Sequence, residues 1–222
     1  MKKILVSLVI TGVFTTAVRA QLSNLDIANG LKDALNKGVQ AGTQKLSITD
    51  GFFKNMAVKI LMPPEAQKAE KTLRGMGLGD EVDKAILSMN RAAEDACKSA
   101  APIFLDAIKK MTITDAIGIL KGGDSSATSY LRVKTTHELT TAFMPVIKTS
   151  LDKVDATKYW NTIMTTYNKV PFVKKVNPDL ADYVTQKALS GLFYEIAQEE
   201  VSIRKNPVAR TTDILKKVFG GL

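Results

Sequence analysis

The stretch NPDLADYVTQKALSGLFYEIAQEEVSIRKN, residues 177–206, decides how the chain folds. Asn177-Pro178-Asp179 has the form of a helix start: a capping side chain, proline at the first helical position, then an acid. Pro207 lacks the N–H that a continuing helix needs, so the spacing predicts one long helix over about 178–205. Leu180, Val184, Lys187 and Gly191 share one line of it, while Leu189, Leu192, Phe193 and Ile196 fall on the opposite side. A surface helix carries one apolar stripe, whereas a helix apolar on two faces belongs inside a bundle. The expectation is an all-α single multi-helix bundle built around this helix.

Composition agrees. The chain has 222 residues, 45% of them hydrophobic, 24% charged and only 6% aromatic, which is ordinary for one globular domain and argues against disorder. Met1-Lys2-Lys3, the apolar run Ile4–Phe14 and Val18-Arg19-Ala20 match the three regions of a secretory signal peptide, with cleavage expected after Ala20. The run is short for a bilayer span, and no later stretch approaches the roughly 20 apolar residues a transmembrane helix requires. No cysteine follows the run, so no lipid anchor is expected. Residues 1–20 are therefore read as a cleaved signal peptide and 21–222 as a single exported, soluble helical domain in the periplasm or envelope.

Cleavage removes Lys2, Lys3 and Arg19 and no acid, lowering the formal charge from +9 to +6. A basic exported domain suits an anionic envelope component, a lipid or an envelope protein, and that compartment makes nucleic acid a poor partner. A solvated basic surface gives the same balance. Cys97 is the only cysteine and His137 the only histidine. An internal disulfide, a histidine-rich metal site and a Ser-His-Asp arrangement all lack their parts. No cofactor or metal is expected.

Along the chain, Ser23–Leu46 predicts a first helix with Leu31, Leu35, Gly38, Gly42 and Leu46 on one side, the glycines implying close approach of another helix. In 52–62 the period changes to two: Met56, Val58, Ile60 and Met62 alternate with Ala57, Lys59 and Leu61. With no clear strand partner this is an extended strap, with Phe52 and Phe53 plugged into the bundle. Pro63-Pro64-Glu65 opens a second helix. Val82, Ile86, Met89, Ala93, Ala96 and Ala100 then repeat at spacings of four, three, four, three and four, one face of a third. Pro102 kinks that helix or starts another. Thr112/Asp115 and Thr135/Glu138 have capping-box spacing, Pro145 predicts a kink, Asp155 caps a helix with Tyr159, Trp160, Ile163 and Tyr167, and Ile214, Leu215, Val218 and Phe219 mark an amphipathic tail.

Several stretches are familiar: Asp50-Gly51-Phe52-Phe53-Lys54-Asn55, Gly77-Leu78-Gly79-Asp80 leading to Met89-Asn90-Arg91-Ala92-Ala93-Glu94, and Gly122-Gly123-Asp124-Ser125-Ser126-Ala127-Thr128. With Asp182-Tyr183-Val184 and Ala209-Arg210-Thr211-Thr212-Asp213 they resemble a family of exported bacterial proteins, mostly Gram-negative, catalogued only as a domain of unknown function. The resemblance covers about residues 24–219. It implies a helical domain in the envelope and brings no catalytic residues.

Two carboxylates stand one turn apart on the long helix, Glu195 and Glu199. Such a pair can share a proton or act as acid and base, which makes a hydrolytic enzyme the alternative function. The competing reading is a buried polar network of Asn90, Arg91, Glu94, Asp124, Glu195, Glu199, Arg204 and Arg210, in which arginines neutralise the acids, because buried charges are usually paired. Gly122–Ser126 offers backbone N–H groups to an anion at a helix start, though without the Lys-Ser/Thr ending of a phosphate loop. The methionines, among them Met56, Met62, Met76, Met89, Met111, Met144 and Met164, suit either core filling or an adaptable apolar pocket. The function expected first is a non-catalytic binding or structural domain for an apolar ligand, an anionic surface or a protein partner.

Overall fold

A computed structural model describes residues 23–220, apart from 76, 78, 154–155, 158–159, 162–164, 166–167, 170, 173–174, 176–178 and 211. The leader, Met76, Met164 and most of the helix expected from Asp155 lie outside the described residues. Among the described residues eight α-helices have both ends defined, in order: α1 Asn24–Ser47, α2 Gln67–Gly75, α3 Gly79–Cys97, α4 Ala100–Lys110, α5 Ile113–Lys121, α6 Ser126–Asp152, α7 Leu180–Lys205 and α8 Asp213–Phe219. Among the described residues there is no strand. The fold is all-α.

The long helix α7 organises it. Asp179, two residues later than the expected cap, accepts the N–H of Asp182 at 3.0 Å. Both faces are covered, Leu180, Val184 and Gly191 on one side and Leu189, Leu192, Phe193 and Ile196 on the other. Lys187 on the first line is exposed, its ammonium 5.7 Å from the Tyr183 ring. The helices that cover α7 are α6, α1 and α3.

Helix α1 starts on a Ser23–Asp26 capping box and buries the predicted side, Leu31, Leu35, Gly38, Gly42 and Leu46. A Cβ on Gly42 would stand 3.5 Å from the backbone nitrogen of Ile196, so α1 and α7 do approach closely there. The third-helix stripe is buried from Val82 through Ala96, but α3 ends at Cys97 and Ala100 begins α4. Pro102 sits in the first turn of α4, where its missing N–H is not needed. The Thr112–Asp115 box is present at the start of α5.

Helix α6 differs from expectation. It runs unbroken through Thr135, where a new helix was expected to start, and Pro145 lies inside it. Thr135 is buried and donates its hydroxyl to the carbonyl of Leu131 at 2.7 Å, so it bonds backwards along one helix and does not cap a new one. Capping-box spacing also occurs inside helices, and here the continuous stripe Leu131, Thr135, Leu139, Phe143 and Ile147 decides the matter. The tail helix α8 docks on α1 of its own chain with Val218 and Phe219 buried.

The strap expected over 52–62 is extended only at its end, 59–62; residues 51–54 and 56–58 are turns, closed by N–H bonds from Asn55 to the Phe52 carbonyl and from Val58 to the Asn55 carbonyl. Val58 and Ile60 point inward and Leu61 outward, but Met56 is exposed because a turn precedes Val58. Phe52 is fully buried and Phe53 partly, with the Lys59 ammonium 4.1 Å from the Phe53 ring centre. A strap has no ladder partner, so its buried backbone groups must find side chains. Helices α3 and α7 supply them, α7 through the Tyr183 hydroxyl, which donates to the Leu61 carbonyl at 2.8 Å.

Candidate functional site

Helix α3 contributes Asn90 and Glu94. Asn90 is completely buried; its Oδ1 accepts the N–H of Ile60 at 2.8 Å and its Nδ2 donates to the carbonyl of Ile60 at 2.8 Å and of Ile86 at 2.7 Å. One amide thus replaces the sheet neighbour that Ile60 lacks. Glu94 Oε1 accepts the N–H groups of Phe52 and Phe53 at 3.0 and 3.2 Å. Arg91 then bridges Glu94 and Asp50, at 2.6 Å to each, and Lys54 reaches Asp50 at 2.7 Å. The Lys54 ammonium and the Arg91 guanidinium hold the Asp50 carboxyl below the usual carboxylate range. Those same acids, Glu94 first, raise Arg91. Burial pushes the neighbouring Cys97 thiol up, far from a reactive thiolate.

Glu195 on α7 joins the strap from the other side. Its two oxygens are taken by Lys45 Nζ at 2.6 Å and Asn55 Nδ2 at 2.7 Å. Glu199 is half-buried against Gly38, and among the described residues no hydrogen bond or ion pair reaches its carboxylate. The two glutamates therefore do not form a hydrogen-bonded pair, and the partner of Glu195 is a lysine where an arginine was expected.

The third cluster joins helix ends. Buried Glu200 accepts the N–H groups of Ala127 and Thr128 at 2.9 and 2.8 Å and the Thr128 hydroxyl at 2.8 Å. The anion at this helix start is a carboxylate of the chain itself. Ser125 leaves the end without a side-chain cap of its own, and a negative group there is favoured by the helix dipole. Arg204 Nε returns to Glu200 at 3.0 Å, and its Nη2 donates to the carbonyl of Ile119 at 2.8 Å and to the Ser126 hydroxyl at 2.9 Å. A cation thus meets the C-terminus of α5 and an anion the N-terminus of α6. Arg210 donates to the carbonyls of Ile203 and Arg204, closing the end of α7. Asp124 is exposed and pairs with Lys205.

Six of the eight predicted polar residues divide among three structural clusters; Asp124, in an exposed pair with Lys205, and Glu199 lie outside them. Asp50, Lys45, Asn55, Thr128 and Glu200 complete the clusters. Of these, only Glu200 carried a sequence signal, a carboxylate one turn before Arg204 on a helix with two buried faces.

Concavity lies elsewhere. A void of about 20 Å³ beside Glu200, Ile196 and Phe219 is large enough for one water. A cleft of about 910 Å³ opens along α3, and Met62, Val82, Met89, Ala156, Trp160 and Leu180 are among its mainly apolar walls. Charged residues on its border are already matched: Lys84 with Glu81 at 3.0 Å, Lys98 with Asp95 at 2.7 Å, Arg91 with Glu94. Trp160 is buried, and its indole Nε1 has no hydrogen-bond partner among the described residues. Glu195 and Glu199 line neither space. Among the described residues no group of three His, Cys, Asp or Glu side chains is placed to hold a metal ion.

The model of the family described as protein of unknown function, DUF4197, matches residues 21–220. The chain belongs to this family. No curated protein and no solved structure matches it. For this DUF4197 member the clusters and the cleft are thus the material from which function is argued.

Proposed function

We propose that the protein is a non-catalytic binding domain of the bacterial envelope that holds an elongated, largely apolar molecule, such as an acyl chain, in the cleft along α3. The cleft carries this reading. Its volume of about 910 Å³ lies within the roughly 300–1,000 Å³ of ligand sites, and the wall surface it exposes is mainly apolar with a polar border, as in such sites. Met62 and Met89 supply adaptable walls. Since the border charges are matched by each other, affinity comes from apolar burial. Glu195, with both oxygens engaged, lends the acid/base alternative no support.

Export to the periplasm rests on the leader: Met1–Ala20 has the signal-peptide pattern, and the family match starts at residue 21. Among the described residues no helix is long and apolar enough to cross a membrane. Solvent extraction of the purified protein followed by mass spectrometry tests the reading. A stoichiometric acyl-bearing amphiphile is expected, and an extract without one, from protein that also fails to take up added fatty acid, contradicts it.

A further inference from the structure

The segment between α6 and α7 reads Lys169-Val170-Pro171-Phe172-Val173-Lys174-Lys175, four apolar residues between lysines. Pro171 and Phe172 lie in a turn with both side chains exposed. Phe172 has φ 64°, a left-handed conformation that a bulky side chain rarely adopts, and its ring is wholly in water. Lys169 and Lys175 are exposed on either side, and among the described residues no carboxylate pairs with either. Several lysines elsewhere are matched, Lys54 with Asp50, Lys84 with Glu81, Lys98 with Asp95 and Lys110 with Asp106, while Lys68, Lys71, Lys121 and Lys148 are exposed without a carboxylate partner among the described residues; Lys169 and Lys175 differ from these in flanking an exposed aromatic ring in sequence.

We propose that this turn docks the protein on an anionic lipid surface. An aromatic tip enters the headgroup region and gains the burial it lacks in water, while flanking lysines stay at the level of the phosphates. Unmatched positive charge beside an apolar tip is complementary to an anionic bilayer, whereas an apolar pocket on a protein partner would leave the lysines without counter-charges. The formal charge of +6 on residues 21–222 acts in the same direction.

Flotation of the protein with phosphatidylglycerol vesicles and with phosphatidylcholine vesicles tests this. Binding to the anionic vesicles is expected, falling as salt rises. Replacing Lys169 and Lys175 by Gln is expected to weaken it on the order of tenfold or more, at about fivefold per lysine. Phe172→Ser is expected to weaken it severalfold, with melting temperatures unchanged because these side chains are exposed. Equal binding to both vesicles, native-like binding by both variants, or binding to neither vesicle overturns the proposal. The extraction experiment uses no vesicles, so failure of the cleft reading and failure of this one are distinguishable.

Discussion

At the scale of single residues, the buried charges here hold chain ends and turns in place. Glu200 is the clearest case, because it satisfies two N–H groups of α6 and the Arg204 guanidinium together. Glu200→Ala leaves the two N–H groups and Arg204 Nε without a partner and the buried guanidinium without its counter-charge. A loss of about 3–5 kcal/mol of stability is expected, measured by urea unfolding. Arg204→Met in the same chain should recover part of it, since the orphaned cation is then gone. Asp50 gives a pH dependence. Its carboxyl is held low when folded, by Lys54 and then Arg91, and returns to about 3.9 when unfolded. The unfolded chain therefore binds this proton more readily. The stabilisation is complete above that value and is lost as pH falls through the lower folded value. Asp50→Asn should flatten the acid limb of the stability–pH curve while leaving its alkaline limb unchanged.

At the scale of elements, the strap and the α1–α7 crossing make opposite demands on glycine. A Cβ on Gly191 would lie 2.7 Å from the Phe52 ring and 3.1 Å from Val58, so Gly191→Ala pushes the strap out and should cost about 1–3 kcal/mol. A Cβ on Gly42 finds ordinary contact at 3.5 Å, and Gly42→Ala should be neutral or gain up to about 1 kcal/mol of helix propensity. Thermal melts of the two variants separate these outcomes. The elements themselves were legible where periodicity acts locally: the two faces of α7, the stripe of α3, the Ser23 start of α1 and the alternation of Val58 and Ile60. Thr135 misled because a four-residue spacing cannot tell a cap from a back-bonded threonine. The site was harder. Lys45 is 150 residues from Glu195, and Glu200 is 73 from Ala127. No local pattern encodes such pairings, so the residue types were visible as candidates and the partners were not.

At the scale of the molecule, a bundle wound around α7 leaves one long side of α3 facing an apolar cleft. The polar clusters fix the strap that forms part of its border, with Asn90 and Glu94 holding Ile60, Phe52 and Phe53 while Met62 lines the cleft itself. Trp160 is the only tryptophan in the chain and stands in the cleft wall, so its fluorescence reports on the site alone. Ala85 lies on the same wall, where a larger side chain would fill the space without entering the buried stripe of α3. The measurement that tests the account most directly is titration of the protein with a brominated fatty acid, read by Trp160 quenching. Saturable one-to-one quenching that weakens in Ala85→Leu is the predicted result. No quenching, or quenching that never saturates and is the same in Ala85→Leu, would contradict it.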